Sequence, residues 1–264
     1  MQRMAWLCLV STLPMLSCGL ITYQHDAGAV TGDTTWKTGT HNVLGSITVS
    51  GGVLTIEAGS TVKMASGAVL TISDGGALKI AGKAGDPVTI TSANATPAAG
   101  DWGYIEIKDT ADHANSIDYA VIEYGGKDYG QIYVDSGATL SVTHTQITHS
   151  ADHALELIGD AHLPAFTDNT LTDNKLAPVR GEIAAVAQLG AGTYTPNDVE
   201  GIEVVSTSPL KTNATWKNLG VPYIATATLT LTTPTGQAQL TLEAGITLKM
   251  SSGTNLIVQE NGAL

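Results

Sequence analysis

Glu106 and Glu156 are the two carboxylates of this sequence whose surroundings suggest that they act on one substrate. Glu106, Tyr133, Glu156 and Arg180 follow one another at intervals of 27, 23 and 24 residues, the first three flanked by aliphatic residues at i−1 and i+1 and Arg180 preceded by Val179. In a strand such alternation sends the flanking residues to one face and the middle residue to the other. If the chain returns to the same place about every 24 residues, the four side chains form one outward column. Two returns separate the glutamates by roughly 9.6 Å, the far edge of the roughly 6.5–9.5 Å gap that inverting glycosidases leave for water. The competing expectation is a solvated face on which Glu156 pairs with Arg180, worth little at a surface. Trp102, Tyr104, Tyr124, Tyr129 and Tyr133 gather around the same stretch, in or beside residues 91–103 and 125–130. Rings beside acids and amides suit a neutral glycan, by stacking and hydrogen bonding. Anchoring of the loops is the alternative, and for Trp102 the better one.

Other chemistries find less support. His144, His149 and His153 lie close in sequence but match no zinc spacing, and no helix puts them on one face. Asp168 and Asp173 beside Lys175 are the nearest approach to a calcium site, whereas Asn169 and Asn174 read as turn residues bonding the backbone. The sequence has no phosphate-binding loop and no nucleophile elbow. Met64 and Met250 fall on apolar ladder positions and are expected in the core.

The elements that must position these residues are written in a repeat. Leu54–Met64 (LTIEAGSTVKM) returns as Leu240–Met250 (LTLEAGITLKM) with eight of eleven residues identical, and the offset of 186 holds as far as Leu78 and Leu264. Within the first copy, apolar pairs at i and i+2 (Ile47/Val49, Leu54/Ile56, Val62/Met64, Leu70/Ile72, Leu78/Ile80) alternate with glycine-rich corners. Strands this short cannot bury a face alone. Three of them make one coil of about 24 residues, and stacked coils share a core. Ile105, Ile132, Leu155 and Val179 form one ladder at this period; Ile122, Ile147 and Leu171 form a second, and Val142 and Phe166 a third.

Asn169-Thr-Leu-Thr-Asp-Asn174 resembles the N-x-L-x-x-N rung of right-handed parallel β-helix proteins of the pectin-lyase-like superfamily. Gly100-Asp-Trp-Gly-Tyr-Ile105, and Trp216 followed by Pro222-Tyr223, are similar to segments of β-helix modules in bacterial surface proteins. The resemblance implies an all-β, right-handed, three-sided solenoid over residues 36–264. It implies little about activity, because one fold hosts lyases, hydrolases, adhesins and stalks. The paired aspartates, G-H-G and R-I-K of the polygalacturonase-like hydrolases are absent from the sequence, which weighs toward the solvated face; Glu106, Glu156 and Arg180 of the column are the catalytic candidates of an alternative polysaccharide hydrolase or lyase.

Composition agrees. Twenty-nine glycines and one phenylalanine in 264 residues suit thin aliphatic cores, and a net charge of −12 excludes nucleic acid and polyanionic glycans as natural partners. Residues 1–17 read as an export leader, with Arg3 before an apolar run too short to span a bilayer. Met15-Leu-Ser-Cys18 ends it like a lipobox, so Cys18 is the expected lipidation site and the membrane a partner through the lipid; Gly19 resembles outer-membrane sorting in Gram-negative bacteria. Residues 18–35 read as a tether holding at most a loose first coil, 36–180 as a first module, 181–215 as a junction and 216–264 as the start of a second module, cut short in a longer array. The expected function is a surface-displayed lipoprotein whose stacked coils serve as a non-catalytic adhesive or glycan-contacting stalk, with a glycan or another surface protein as partner and no cofactor; a purely structural spacer is the remaining alternative.

Overall fold

A chain of short alternating strands must pair its edges with the next turn of the same chain, and this one does so throughout. The computed structural model describes residues 21–112, 114–233 and 235–264; the leader and Cys18 lie outside them. Every strand pair is parallel. The chain winds as a right-handed three-sided column of about ten coils. The first face is an eight-stranded sheet from Thr22–His25 to Gly192–Thr193. The second is an unbroken ten-stranded sheet from Gly28–Val30 to Leu248–Met250. The third runs for six strands from Thr34–Trp36 to Phe166–Thr167; beyond it the column continues in two separate sheets, one of Ala214–Trp216, Ala238–Leu242 and Gly262–Ala263 and one of Leu229–Leu231 and Leu256–Val258.

The expected ladders line the interior in register. Ile105, Ile132, Leu155 and Val179 pair in turn on the second face, Ile122, Ile147 and Leu171 on the first, and Val142 with Phe166 on the third. All are buried, and each fully buried aliphatic side chain contributes roughly 1.5–3 kcal/mol. Corners need a left-handed residue and a partner for the turn's backbone. Tyr119, His144 and Asp168 stack at one edge of the first face, and Tyr124, His149 and Asp173 at the other, all with φ between 48° and 65°. Inside the second of these corners lies an amide ladder: Gln131 Oε1 accepts from Gly125, Asn174 Oδ1 from Ser150, and Asn197 Oδ1 from Asn174.

Three features depart from the expectations. Residues 22–36 form a complete first coil rather than a tether, because Tyr23, His25, Trp36 and His41 stack into an aromatic floor with centroids 4.1–5.1 Å apart. Burial there holds the His25 and His41 imidazoles below their usual pKa. The stretch 181–215 is part of the winding: the second sheet passes straight through it, while a short helix, Ile183–Val186, replaces one strand of the third face. Gln188 closes the exposed edge of that face with its side-chain amide, accepting from Leu163 N–H and donating to the Ala161 carbonyl. Met64 is buried as expected, but Met250 is 39% exposed in the last strand of the second sheet, where it has a strand on one side only.

The two copies of the repeat do not sit on the same face. Val62 and Met64 belong to the first sheet, whereas their counterparts Leu248 and Met250 belong to the second. Trp36 pairs with Ile56 on the third face, and Trp216 with Leu242 in the separate three-stranded sheet. The closing strand of the repeated stretch thus lies one face further on in the second copy. The motif therefore encodes strand, corner and strand, and leaves the choice of face to the number of intervening strands.

Candidate functional site

The outward column forms as the spacing requires. On the second face Thr71, Glu106, Tyr133, Glu156, Arg180 and Glu203 are successive register partners. Two loops bring further groups to it. The first ends in the Gly100–Gly103 turn, tied down by Gly103 N–H to the Ala68 carbonyl at 2.9 Å and by Gly100 N–H to the Gly125 carbonyl at 3.1 Å. Trp102 fills the corner beneath: it is fully buried, its Nε1–H donates to the Glu123 carbonyl at 2.8 Å, and a Cβ on Gly125 would stand 2.6 Å from its ring. Trp102 is thus an anchor and presents nothing to a ligand. The second loop returns through Gly130, whose N–H donates to Glu156 Oε2 at 3.1 Å; a Cβ there would meet Glu156 Cβ at 2.8 Å, so the close approach requires glycine.

Pinned in this way, the loops set Tyr104 and Tyr129 beside Tyr133. Tyr104 and Tyr129 meet edge to face at 5.1 Å; Tyr133 inclines to Tyr129 at 4.9 Å and to Tyr104 at 6.3 Å. Tyr129 is 45% exposed. Partial burial and neighbouring carboxylates raise the phenol pKa of Tyr104 and Tyr133. Tyr194 and Tyr223 behave differently: both are buried, and their hydroxyls donate to the Gly190 and Lys217 carbonyls. None of the three patch hydroxyls has a hydrogen-bond partner among the described residues. Tyr124 stands apart, stacked on His149 at 4.9 Å.

The catalytic candidates are already engaged. Glu106 pairs with Lys108 at 2.9 Å and accepts from Thr71 Oγ1 at 3.1 Å. Glu156, only 7% exposed, pairs with Arg180. Beside it is a network that spacing did not bring out: His153 Nδ1 bonds Asp152, and Nε2 bonds Glu203 at 3.1 Å. Burial opposes charge on this imidazole, but the two carboxylates outweigh it and lift the pKa to about 9; the same hydrogen bond holds Asp152 below its usual value. The sequence did hold a signal for part of this network, since Glu203 follows Arg180 by one more period of 23 residues.

Asp152, His153 and Glu156 offer ligand atoms within 4.8 Å of one another. Both imidazole nitrogens face carboxylates and Arg180 holds Glu156, so the set is arranged as an ion-pair network. Asp168 and Asp173 sit at opposite ends of the strand Asn169–Thr172, on the order of 16 Å apart, and do not converge on one cation. His144 stacks on Tyr119 and His149 on Tyr124, so the three histidines go separate ways.

Residues 28–141, roughly the first five coils, match the family model of the pectate-lyase like beta helix domain. No curated protein and no solved structure matches the chain.

Proposed function

We propose that the chain, of which residues 28–141 match the pectate-lyase like beta helix domain, is a non-catalytic, glycan-contacting stalk held at a bacterial surface by a lipid on Cys18. The observation that carries the glycan reading is the contrast among the tyrosines. Tyr194 and Tyr223 are buried with their hydroxyls bonded, and Tyr23, Tyr119 and Tyr124 each stack on a histidine, whereas Tyr104, Tyr129 and Tyr133 gather into one cluster with Tyr129 exposed and no hydroxyl of the three engaged among the described residues. Folding alone does not call for that arrangement, and a sugar uses all three features. The catalytic alternative draws less support. Glu106 and Glu156 are each already engaged by a cation, Lys108 and Arg180, and neither carboxylate is left free to face a substrate.

On a glycan array the full-length protein is expected to give hits that Tyr129→Ala together with Tyr133→Ala weakens about tenfold, the worth of one or two stacked rings. An array blank for the unaltered protein leaves only the spacer reading. Release of oligosaccharide that disappears in Glu106→Gln or Glu156→Gln would establish the enzyme instead. For the anchor, Cys18→Ser should abolish labelling of the exported protein with a fatty-acid analogue; unchanged labelling refutes lipidation at that residue.

A further inference from the structure

We infer that the glycan held at the tyrosine patch is one bearing free amino groups, a glucosamine-type polymer rather than its N-acetylated or uronic-acid counterpart. This rests on the glycan reading above and adds a charge to the ligand. The rings are mutually inclined by 54–80°. Rings inclined in this way can stack a sugar on the exposed Tyr129 and still turn neighbouring rings toward one compact cation.

The rim is acidic after its own cations are counted. Lys108 is taken by Glu106 and Arg180 by Glu156. Asp128 and Asp135 remain, with no basic side chain in salt-bridge range among the described residues. Asp128 is exposed on the loop that carries Tyr129, and Asp135 lies just past the end of the strand Ile132–Val134, close enough to help raise the phenol pKa of Tyr133. Lys127, the nearest basic residue in sequence, directs its ammonium toward Gly67 instead. A ligand ammonium over the exposed Tyr129 ring would meet a cation–π contact and two carboxylates, and the net charge of −12 favours its approach from a distance. An N-acetyl group forfeits both contacts, and a uronate is repelled.

The test compares fully deacetylated and fully N-acetylated β-1,4-glucosamine hexamers by calorimetry on the full chain, at mildly acidic pH where the amine is charged. The deacetylated hexamer should bind about tenfold tighter, with an advantage that shrinks as salt is added. Asp128→Asn with Asp135→Asn should remove the preference while leaving the melting midpoint unchanged, and Tyr129→Ala should weaken both hexamers. Equal binding of the two hexamers, or preference for the acetylated one, overturns the amino-group inference while the glycan reading stands. If neither hexamer binds but other array glycans do, the inference falls alone. If no glycan binds, both fall.

Discussion

Asn174→Ala is expected to cost about 3–5 kcal/mol of stability, more than most surface changes could approach. The side chain is fully buried at a corner. Its oxygen accepts Ser150 N–H at 3.0 Å, and its nitrogen donates to the Ile147 and Thr172 carbonyls and to Asn197 Oδ1 at 2.9–3.2 Å. Alanine would strand several buried backbone groups at once, each costing roughly 1–3 kcal/mol and not fully additive. Because coils contact only their neighbours, damage should be greatest in the coils around residues 147–197. Amide exchange there should accelerate while the first three coils stay protected. Exchange unchanged around Ser150 and Asn174 would show that water serves the corner equally well.

Stability should also fall as pH rises from about 6.5 to 9, by on the order of 3 kcal/mol. His153 has a folded pKa of about 9 against 6.5 for a free imidazole, so the folded state binds the proton more tightly. The benefit is fully present below pH 6.5 and is lost as pH climbs through the folded value. The groups facing the imidazole are Asp152 and Glu203, with Glu156 and Arg180 adjoining. On the acid side His25 and His41 act in the opposite sense. Their pKa values are lowered, so their share of stability is present above 6.5 and declines as pH falls below it. Urea denaturation across the range should therefore peak near pH 6.5. His153→Gln should flatten the alkaline limb alone; a limb that persists in that variant would assign it to another group.

Much of the architecture was legible because the period is enforced by burial. A coil slipped by one residue would turn Ile132 or Leu155 outward, so the 24-residue recurrence and the Glu106–Arg180 column survive directly in the text of the sequence. What could not be read were contacts set by loop length. The 35 residues from Leu70 to Ile105 hide the fact that Trp102 folds back under Gly125, and separation in sequence conceals the bridge from His153 to Glu203. The first coil was missed for a compositional reason. Its inward positions are aromatic and imidazole side chains, Tyr23, His25 and Trp36, where the rest of the column uses aliphatics. Gln188 escaped because one side-chain amide stands in for a strand, which leaves no periodic trace.

The face shift of the repeated motif has a bearing on how the column meets its surroundings. Lys63 projects from the first face and its counterpart Lys249 from the second, so near-identical strips look out in two compass directions. An antibody raised against one strip would therefore meet the same pattern twice, in two orientations about the column axis.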